Sequence, residues 1–176
     1  PAGLTGAFMY YGNSSAMAVS SGAAVFYLFD DFNDKSFDSS KWDTGTGSSV
    51  TETDGVLKVT NNGATTPTSV LSKTYTVQNA VMEAKMKWVS TTGTAHMGFV
   101  VRDSVQLLAR GPANNDYYWN AGSQKGTLTY SPPQDTWHFL RATYSGVNGY
   151  GYLKNISTGN ELTSTVNNFA VTSSCK

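Results

Sequence analysis

The stretch DTWHFLRATYSGVNGYGYLKN, residues 135–155, decides the fold class because two short segments rich in apolar residues flank a turn. Residues 138–144 and 149–154 predict strands, and Asn148-Gly149 between them is a pair that favours tight turns. Similar short segments recur along the chain, whereas no window of eleven or more residues keeps the apolar spacing of an amphipathic helix. The sequence therefore predicts an all-β protein.

Turn-forming pairs such as Asp54-Gly55 and Asn62-Gly63 separate the predicted strands. The strands are predicted at residues 7–11, 25–32, 50–53, 56–60, 69–71, 80–89, 95–103, 105–109, 116–120, 127–130, 138–144, 149–154 and 169–172. Many short strands at this spacing indicate a two-sheet antiparallel β-sandwich or a barrel.

The length of 176 residues suits one substantial core, and the sequence predicts a single sandwich over residues 23–176. Residues 1–22 are interpreted as a leading strand and a linker that continue from a preceding module, with the Ser- and Ala-rich segment 12–22 as the linker and the place for a short helical turn. The two ends of the chain suggest a piece of a longer protein.

Charge and cysteine usage exclude several classes of partner and site. The chain has 12 Lys plus Arg and 12 Asp plus Glu, scattered along its length, which argues against a nucleic-acid partner. Apolar stretches are too short for a membrane span, so no membrane insertion is expected. Cys175, the single cysteine, can form neither an internal disulfide nor a thiolate metal site by itself.

Two sections of the chain resemble known families. GAFMYYGNSSAMAVSSGAAVFYLFDDFND, residues 6–34, resembles the end of a domain of unknown function found in large secreted archaeal and bacterial proteins. From residue 29 onward the chain resembles the concanavalin A-like, or laminin-G-like, jelly roll, through FDDF, FDSSKWDT, DGVLKVT, VMEAKMKWV, AHMGFVVR and the stretch 135–155. That resemblance implies a curved antiparallel sandwich whose relatives are carbohydrate-binding modules, lectins, adhesion domains and some glycoside hydrolases or lyases.

The segment ARGPANNDYYWN, residues 109–120, contains the groups that sugar binding requires. Flat aromatic rings pack on pyranose faces, and polar groups such as Arg110 and Asn115 bind hydroxyls. In a strand Tyr117 and Trp119 point to one face and Tyr118 to the other, so at least one ring leaves the core or lines a groove. The alternative is that all three rings pack inside the protein or beneath loops.

Further candidates for a sugar site lie on other predicted strands. In HMGFVVR, His96 and Arg102 share a face opposite Met97, and Arg102 offers several planar donors. Tyr150 and Tyr152 share a face in GYGYLKN, where alternating glycines leave room for a ligand or another backbone.

A catalytic site is not predicted. Glycosidases of the resembled superfamily carry two Glu on one strand. In this chain the corresponding segment, VMEAKMKWV, has Glu83 alone, with Lys85 and Lys87 following. No nucleophile or metalloprotease motif accompanies the two histidines, and His138 is interpreted as a packed residue.

The segment AAVFYLFDDFND, residues 23–34, predicts a buried first strand followed by carboxylates. Asp30, Asp31 and Asp34 supply oxygen ligands of the type that Ca²⁺ prefers, and the resemblance implies a structural calcium that ties the first strand to the last. The alternative is that these carboxylates cap or solvate a strand end.

The function predicted from the sequence is that of a non-catalytic carbohydrate-binding module, extracellular or at the cell surface, with polysaccharide and neighbouring modules as partners. The first alternative is a structural or adhesive domain of a surface protein or extracellular filament, and the second is a glycosidase or lyase. Asn13 and Asn155 each begin an Asn-x-Ser sequon compatible with glycosylation.

Overall fold

The computed structural model describes residues 21–45, 47–61, 69–73, 79–89, 96–102, 105–110, 116–121, 124–145 and 148–167. These ranges contain a one-turn helix and twelve strands: α1 (Gly22–Val25), β1 (Trp42–Thr44), β2 (Ser48–Thr53), β3 (Val56–Asn61), β4 (Val70–Ser72), β5 (Asn79–Met86), β6 (His96–Arg102), β7 (Val105–Arg110), β8 (Asp116–Ala121), β9 (Gln124–Thr129), β10 (His138–Ser145), β11 (Asn148–Asn155) and β12 (Glu161–Val166). Every strand pair in them is antiparallel, so the prediction of an all-β protein is confirmed.

Residue contacts divide the chain into two compact units, Pro1–Lys73 and Thr74–Lys176. The domain boundary expected after residue 22 is not tested by this division and stays a prediction. The predicted strands at 7–11 and 169–172 lie outside the described residues.

The first unit contains two small antiparallel sheets. β1 pairs with β4, and β2 pairs with β3 in a hairpin. The hairpin turns at Asp54 and Gly55, whose φ angles of 52° and 72° are those of the mirror-image turn that matches strand twist. The turn predicted from this Asp-Gly pair is confirmed.

The strand predicted at residues 25–32 is wrong. α1 ends at Val25, the chain after it is irregular, and Tyr27 is 86 % exposed. The cause is local hydrogen bonding: Asp30 and Asp31 each accept from the backbone amide two residues later, at 3.2 and 3.3 Å, and Phe32 adopts a φ of 56°. Such turns compete with an extended backbone, so the carboxylates bend the chain instead of ending a strand.

The second unit contains two four-stranded antiparallel sheets. One has the order β6-β7-β8-β9, and the other has the order β12-β11-β10-β5. We call the second one the tyrosine sheet because it carries Tyr150 and Tyr152. Inward side chains of both sheets form one hydrophobic core.

Strand burial follows the period of two that places side chains on alternate faces of a sheet. In β10, His138, Leu140, Ala142 and Tyr144 are buried, while the residues between them are partly or fully exposed. The other sheet contributes Leu107 and Trp119 to the same core, both with 0 % exposure. Burial of these large side chains stabilises the unit.

Two short strands, β1 and β12, were not predicted from the sequence. β1 spans three residues, which is too short for a periodic signal. β12 reads ELTSTV, and its outer face of Glu161, Thr163 and Thr165 is entirely polar. Within the described ranges, no helix has the length and apolar character needed to cross a membrane.

Candidate functional site

The aromatic cluster predicted to bind sugar lies in the core. Tyr117 and Trp119 have 0 % exposure, and Tyr118 has 4 %. β8 runs between β7 and β9 and presents Trp119 to the opposite sheet, where its Nε1 donates to the carbonyl oxygen of Ser164 at 3.4 Å. The prediction that Trp119 and Tyr117 contact a glycan is therefore corrected: rings sealed between two sheets have no surface to offer it.

The polar partners predicted around this cluster are not available as a group. Arg110 pairs with Asp116 through two hydrogen bonds, one of them from Nε to Oδ1 at 2.6 Å, and its guanidinium lies 4.7 Å from the ring centroid of Tyr118. The hydrogen bonds to Asp116 raise the pKa of Arg110. Asn115 lies outside the described residues, and His96 and Arg102 are described only as backbone of β6. Arg110 thus joins β7 to β8. A role in sugar binding stays a prediction for Asn115, His96 and Arg102.

Among the predicted sugar-site residues whose side chains the structure describes, Tyr150 and Tyr152 lie on a surface. β11 buries Gly149, Gly151 and Leu153 and turns both tyrosines outward, and Tyr150 is 48 % exposed. Beside them the outer face of the tyrosine sheet has an open groove of about 410 Å³. We call it the tyrosine groove, and its lining is Arg141, Thr143, Tyr150, Gly151, Tyr152, Thr163 and Thr165.

Strand register explains why these residues meet. Two cross-strand rows run over the four strands, and neighbours in a row are paired directly. One row has no charged side chain and carries three hydroxyls: Val81, Thr143, Tyr150 and Thr165. The next row is Glu83, Arg141, Tyr152 and Thr163.

Tyr152 is held in place by contacts at both ends. Its ring packs edge-on against Phe139 with 6.1 Å between centroids, and its hydroxyl bonds to Glu161. Glu161 also accepts from Lys154 Nζ at 2.8 Å. The hydrogen bond from Lys154 and then the one from Tyr152 lower the pKa of Glu161, so this carboxylate is ionised at neutral pH. A fixed ring binds a flat ligand with a smaller entropy cost than a mobile one.

Core side chains fill the space beside Gly151 in β11. A Cβ on Gly151 would lie 2.6 Å from Leu107 Cδ1 and 2.6 Å from the hydroxyl oxygen of Tyr117. Both atoms belong to the opposite sheet, so Gly151 allows close approach between sheets at the floor of the tyrosine groove.

The predicted calcium ligands are mostly engaged within the first unit. Asp30 Oδ2 accepts from Trp42 Nε1 at 2.8 Å and lies 3.6 Å from Lys41 Nζ, while Asp34 Oδ1 accepts from the amide of Ser36. Among the described residues, no three His, Cys, Asp or Glu side chains form a group that can hold a metal. The described geometry therefore gives no support to calcium at Asp30, Asp31 and Asp34, and that site stays a prediction.

The structure adds one carboxylate to this loop that the sequence analysis did not single out. Glu52 in β2 has a raised pKa, first because it is desolvated and then because it bonds to and repels Asp34. Its Oε1 atom is buried with no hydrogen-bond partner among the described residues. No sequence pattern links residues 34 and 52, because only the tertiary structure of the first unit brings them together.

Two polar core residues have structural roles. His138 has 0 % exposure, its Nδ1 donates to the carbonyl of Thr136 at 2.9 Å, and its Nε2 lies 2.8 Å from the Tyr130 hydroxyl. Asn155 is buried and its Oδ1 accepts from the amides of Ser157 and Thr158. The Asn155 side chain of the second sequon is thus buried in the folded protein, and Asn13 lies outside the described residues.

The fold and the site define an all-β protein with an open, tyrosine-lined groove on one sheet. Residues 3–45 match a domain of unknown function, DUF2341. The match is consistent with the expected end of such a domain and covers a minority of the chain, extending past residue 22. Comparisons with curated proteins and with solved structures found no significant match.

Proposed function

We propose that this chain is a non-catalytic carbohydrate-binding module whose polysaccharide ligand lies in the tyrosine groove. The observation that carries the proposal is the ring of Tyr150, which is 48 % exposed beside the fixed ring of Tyr152. Tyrosine faces suit the apolar faces of pyranose rings. The hydroxyls of Thr143, Thr163 and Thr165 are donors and acceptors for sugar hydroxyls.

The dimensions of the groove agree with a short run of sugar units. Its lining comes from three adjacent strands, which spans about 10 Å at a spacing of about 4.8 Å. The volume of about 410 Å³ lies within the range of small-molecule sites.

The charges beside the groove support binding without hydrolysis. A retaining or inverting glycosidase needs one carboxyl group that keeps a proton at its working pH. Glu83 forms an ion pair with Arg141, and Lys154 together with Tyr152 lowers the pKa of Glu161. Lys154 thus favours the ionised form of Glu161, which is the wrong state for a general acid.

The resemblance to concanavalin A-like domains supports the finer parts of the proposal. We infer that the two sheets of the second unit are a jelly-roll sandwich of that type. We also infer that the protein is extracellular or at the cell surface, that it lies among neighbouring modules of a longer chain, and that it inserts into no membrane and binds no nucleic acid. A structural calcium in the first unit belongs to the same inference, although no described geometry supports it.

Affinity electrophoresis against a panel of soluble polysaccharides, with pull-downs on insoluble ones, tests the function. Tyr150→Ala is expected to weaken retention about tenfold or more, because it removes a stacking surface worth about 1.4 kcal/mol. Tyr27→Ala is the matched control, since it removes an exposed tyrosine of the other unit. Failure of every polysaccharide to retain the folded wild type would refute the proposal.

A structural or adhesive domain without glycan binding is the second candidate, and burial favours it. Trp119, Tyr117 and Trp88, three of the large aromatics that the sequence offered, are buried in the core. Under this alternative the tyrosine sheet contacts a neighbouring protein module, and no glycan competes with that contact.

A further inference from the structure

The charged groups beside the tyrosine groove are arranged as pairs. Glu83 of β5 and Arg141 of β10 are directly opposite each other in the sheet, and the Arg141 Nε donates to the Glu83 carboxylate. Arg141 lines the groove and is also the cross-strand neighbour of Tyr152. Its side chain is 49 % exposed, so its remaining N–H groups are accessible from solvent.

The second pair repeats this arrangement in the next row of the sheet. Lys154 and Glu161 are also direct cross-strand partners, with 2.8 Å between Nζ and Oε1. Lys85 is a further cation on the outer face, but it lies on β5 and does not line the groove. Each cation closest to the tyrosines thus has a carboxylate beside it.

Pairing decides which ligands such a surface accepts. An unpaired arginine next to an aromatic ring attracts carboxylate or sulfate groups, because its planar donors match them in charge and geometry. A carboxylate beside that arginine cancels the attraction and repels a polyanion. The paired groups still suit neutral hydroxyls, which both donate and accept hydrogen bonds.

We propose that Glu83 determines the charge selectivity of the tyrosine groove by neutralising Arg141, so that the groove takes uncharged polysaccharide in preference to polyuronate or sulfated glycan. This inference rests on the proposed function and adds the substrate class. Glu83, which lies on the strand where glycosidases of the resembled superfamily carry two Glu, thus has a role in specificity.

The test compares wild type, Glu83→Gln and Asp135→Asn for binding to a neutral polymer, hydroxyethylcellulose or mixed-linkage glucan, and to polygalacturonate. Asp135→Asn is the matched control, because it makes the same change of charge and releases Lys87, whose Nζ lies 3.5 Å from Asp135 Oδ1 outside the groove. Measurements at about 0.05 M and about 0.5 M NaCl separate screened charge attraction from other contacts.

Wild type is expected to bind a neutral polymer with little dependence on salt and to bind polygalacturonate weakly. Glu83→Gln is expected to gain about tenfold or more in affinity for polygalacturonate at low salt, the effect of one charged hydrogen-bond donor set free. High salt should remove this gain in affinity for polygalacturonate. The double variant Glu83→Gln, Arg141→Gln should not show the gain, and Asp135→Asn should bind polygalacturonate as weakly as wild type does.

Tighter binding of wild type to polygalacturonate than to any neutral polymer overturns the inference while leaving glycan binding intact. The inference also fails if Glu83→Gln gains no more affinity for polygalacturonate than Asp135→Asn does. Absence of wild-type binding to every polymer is a different result, since it refutes the proposed function and the inference with it. Circular dichroism of each variant confirms that the fold is retained.

Discussion

The hydroxyl of Tyr117 faces the backbone of Gly151 across the core of the second unit, so closely that a Cβ at residue 151 would lie 2.6 Å from its oxygen. Tyr117 belongs to β8 and Gly151 to β11, in opposite sheets. On the other side of β11 lie Tyr150, Tyr152 and the tyrosine groove. The packing of the core therefore sets the position of the strand that carries the candidate site.

Gly151→Ala is expected to destabilise the protein by about 1–3 kcal/mol, the usual cost of adding a group to a packed core. The new Cβ meets Leu107 and Tyr117, so one sheet must shift. Urea unfolding measures the loss. Leu107→Val in the same chain removes the two Cδ contacts at 2.6 and 3.0 Å and should restore part of it; an unchanged unfolding midpoint for Gly151→Ala would contradict this account.

Tyr117→Phe is expected to leave stability unchanged or to raise it by about 1 kcal/mol. The Tyr117 hydroxyl is buried and has no hydrogen-bond partner among the described residues, so burying it costs free energy that phenylalanine avoids. Its burial also raises the pKa of Tyr117. Trp119→Ala is the contrasting variant, with an expected cost of about 3–5 kcal/mol. A loss of more than about 1 kcal/mol in Tyr117→Phe would indicate a partner for the hydroxyl.

Stability is expected to fall as pH drops from about 7.5 to about 5, because burial lowers the pKa of His138, with the Thr136 carbonyl acting in the opposite direction. Folding favours the neutral imidazole, so the contribution is complete above the unfolded value of 6.5 and is lost as pH falls towards the folded pKa. Urea midpoints across this range measure the effect. His138→Gln should flatten the profile more than His96→Gln does, and equal effects of the two variants would count against it.

Glu52→Gln is expected to stabilise the first unit at pH 7 and to have little effect near pH 4. Desolvation and Asp34 raise the pKa of Glu52, so the stability it contributes is present at low pH and is lost as pH rises through the folded pKa. Asp31→Asn, a neighbouring change of the same charge, should give no such gain. A fall in the wild-type melting temperature on addition of EDTA, absent in Glu52→Gln, would instead show that a cation occupies the loop.

Strand alternation could be predicted from the sequence wherever one face of a strand is buried. Residues 138–144 and 149–154 were identified in this way, and β10 and β11 contain them. The same rule failed at residues 25–32, where an apolar run proved to be a helical turn followed by irregular chain. The deciding contacts were local hydrogen bonds that the Asp30 and Asp31 carboxylates accept from the backbone amides two residues later, which a hydrophobic pattern does not report.

The candidate site could be predicted only in part, because face and burial are different properties. The sequence correctly placed Tyr150 and Tyr152 on one face of a strand, and it placed Tyr117 and Trp119 on one face of another. Whether such a face is buried or exposed depends on whether the opposite sheet packs against it. Arg141, Thr163 and Thr165 could not be assigned to the groove, since they belong to strands that register alone brings together.

The sequence by itself determined the all-β class, because alternation and turn-forming pairs are local properties of the chain. It also determined the balance of 12 Lys plus Arg against 12 Asp plus Glu, since net charge is a matter of composition. Only the tertiary structure decided that Trp119 is core and Tyr150 is surface, that Glu83 forms an ion pair with Arg141, and that Gly151 faces Tyr117. Those relationships join residues from different strands and sheets, and their energies exist only when packing brings the partners together.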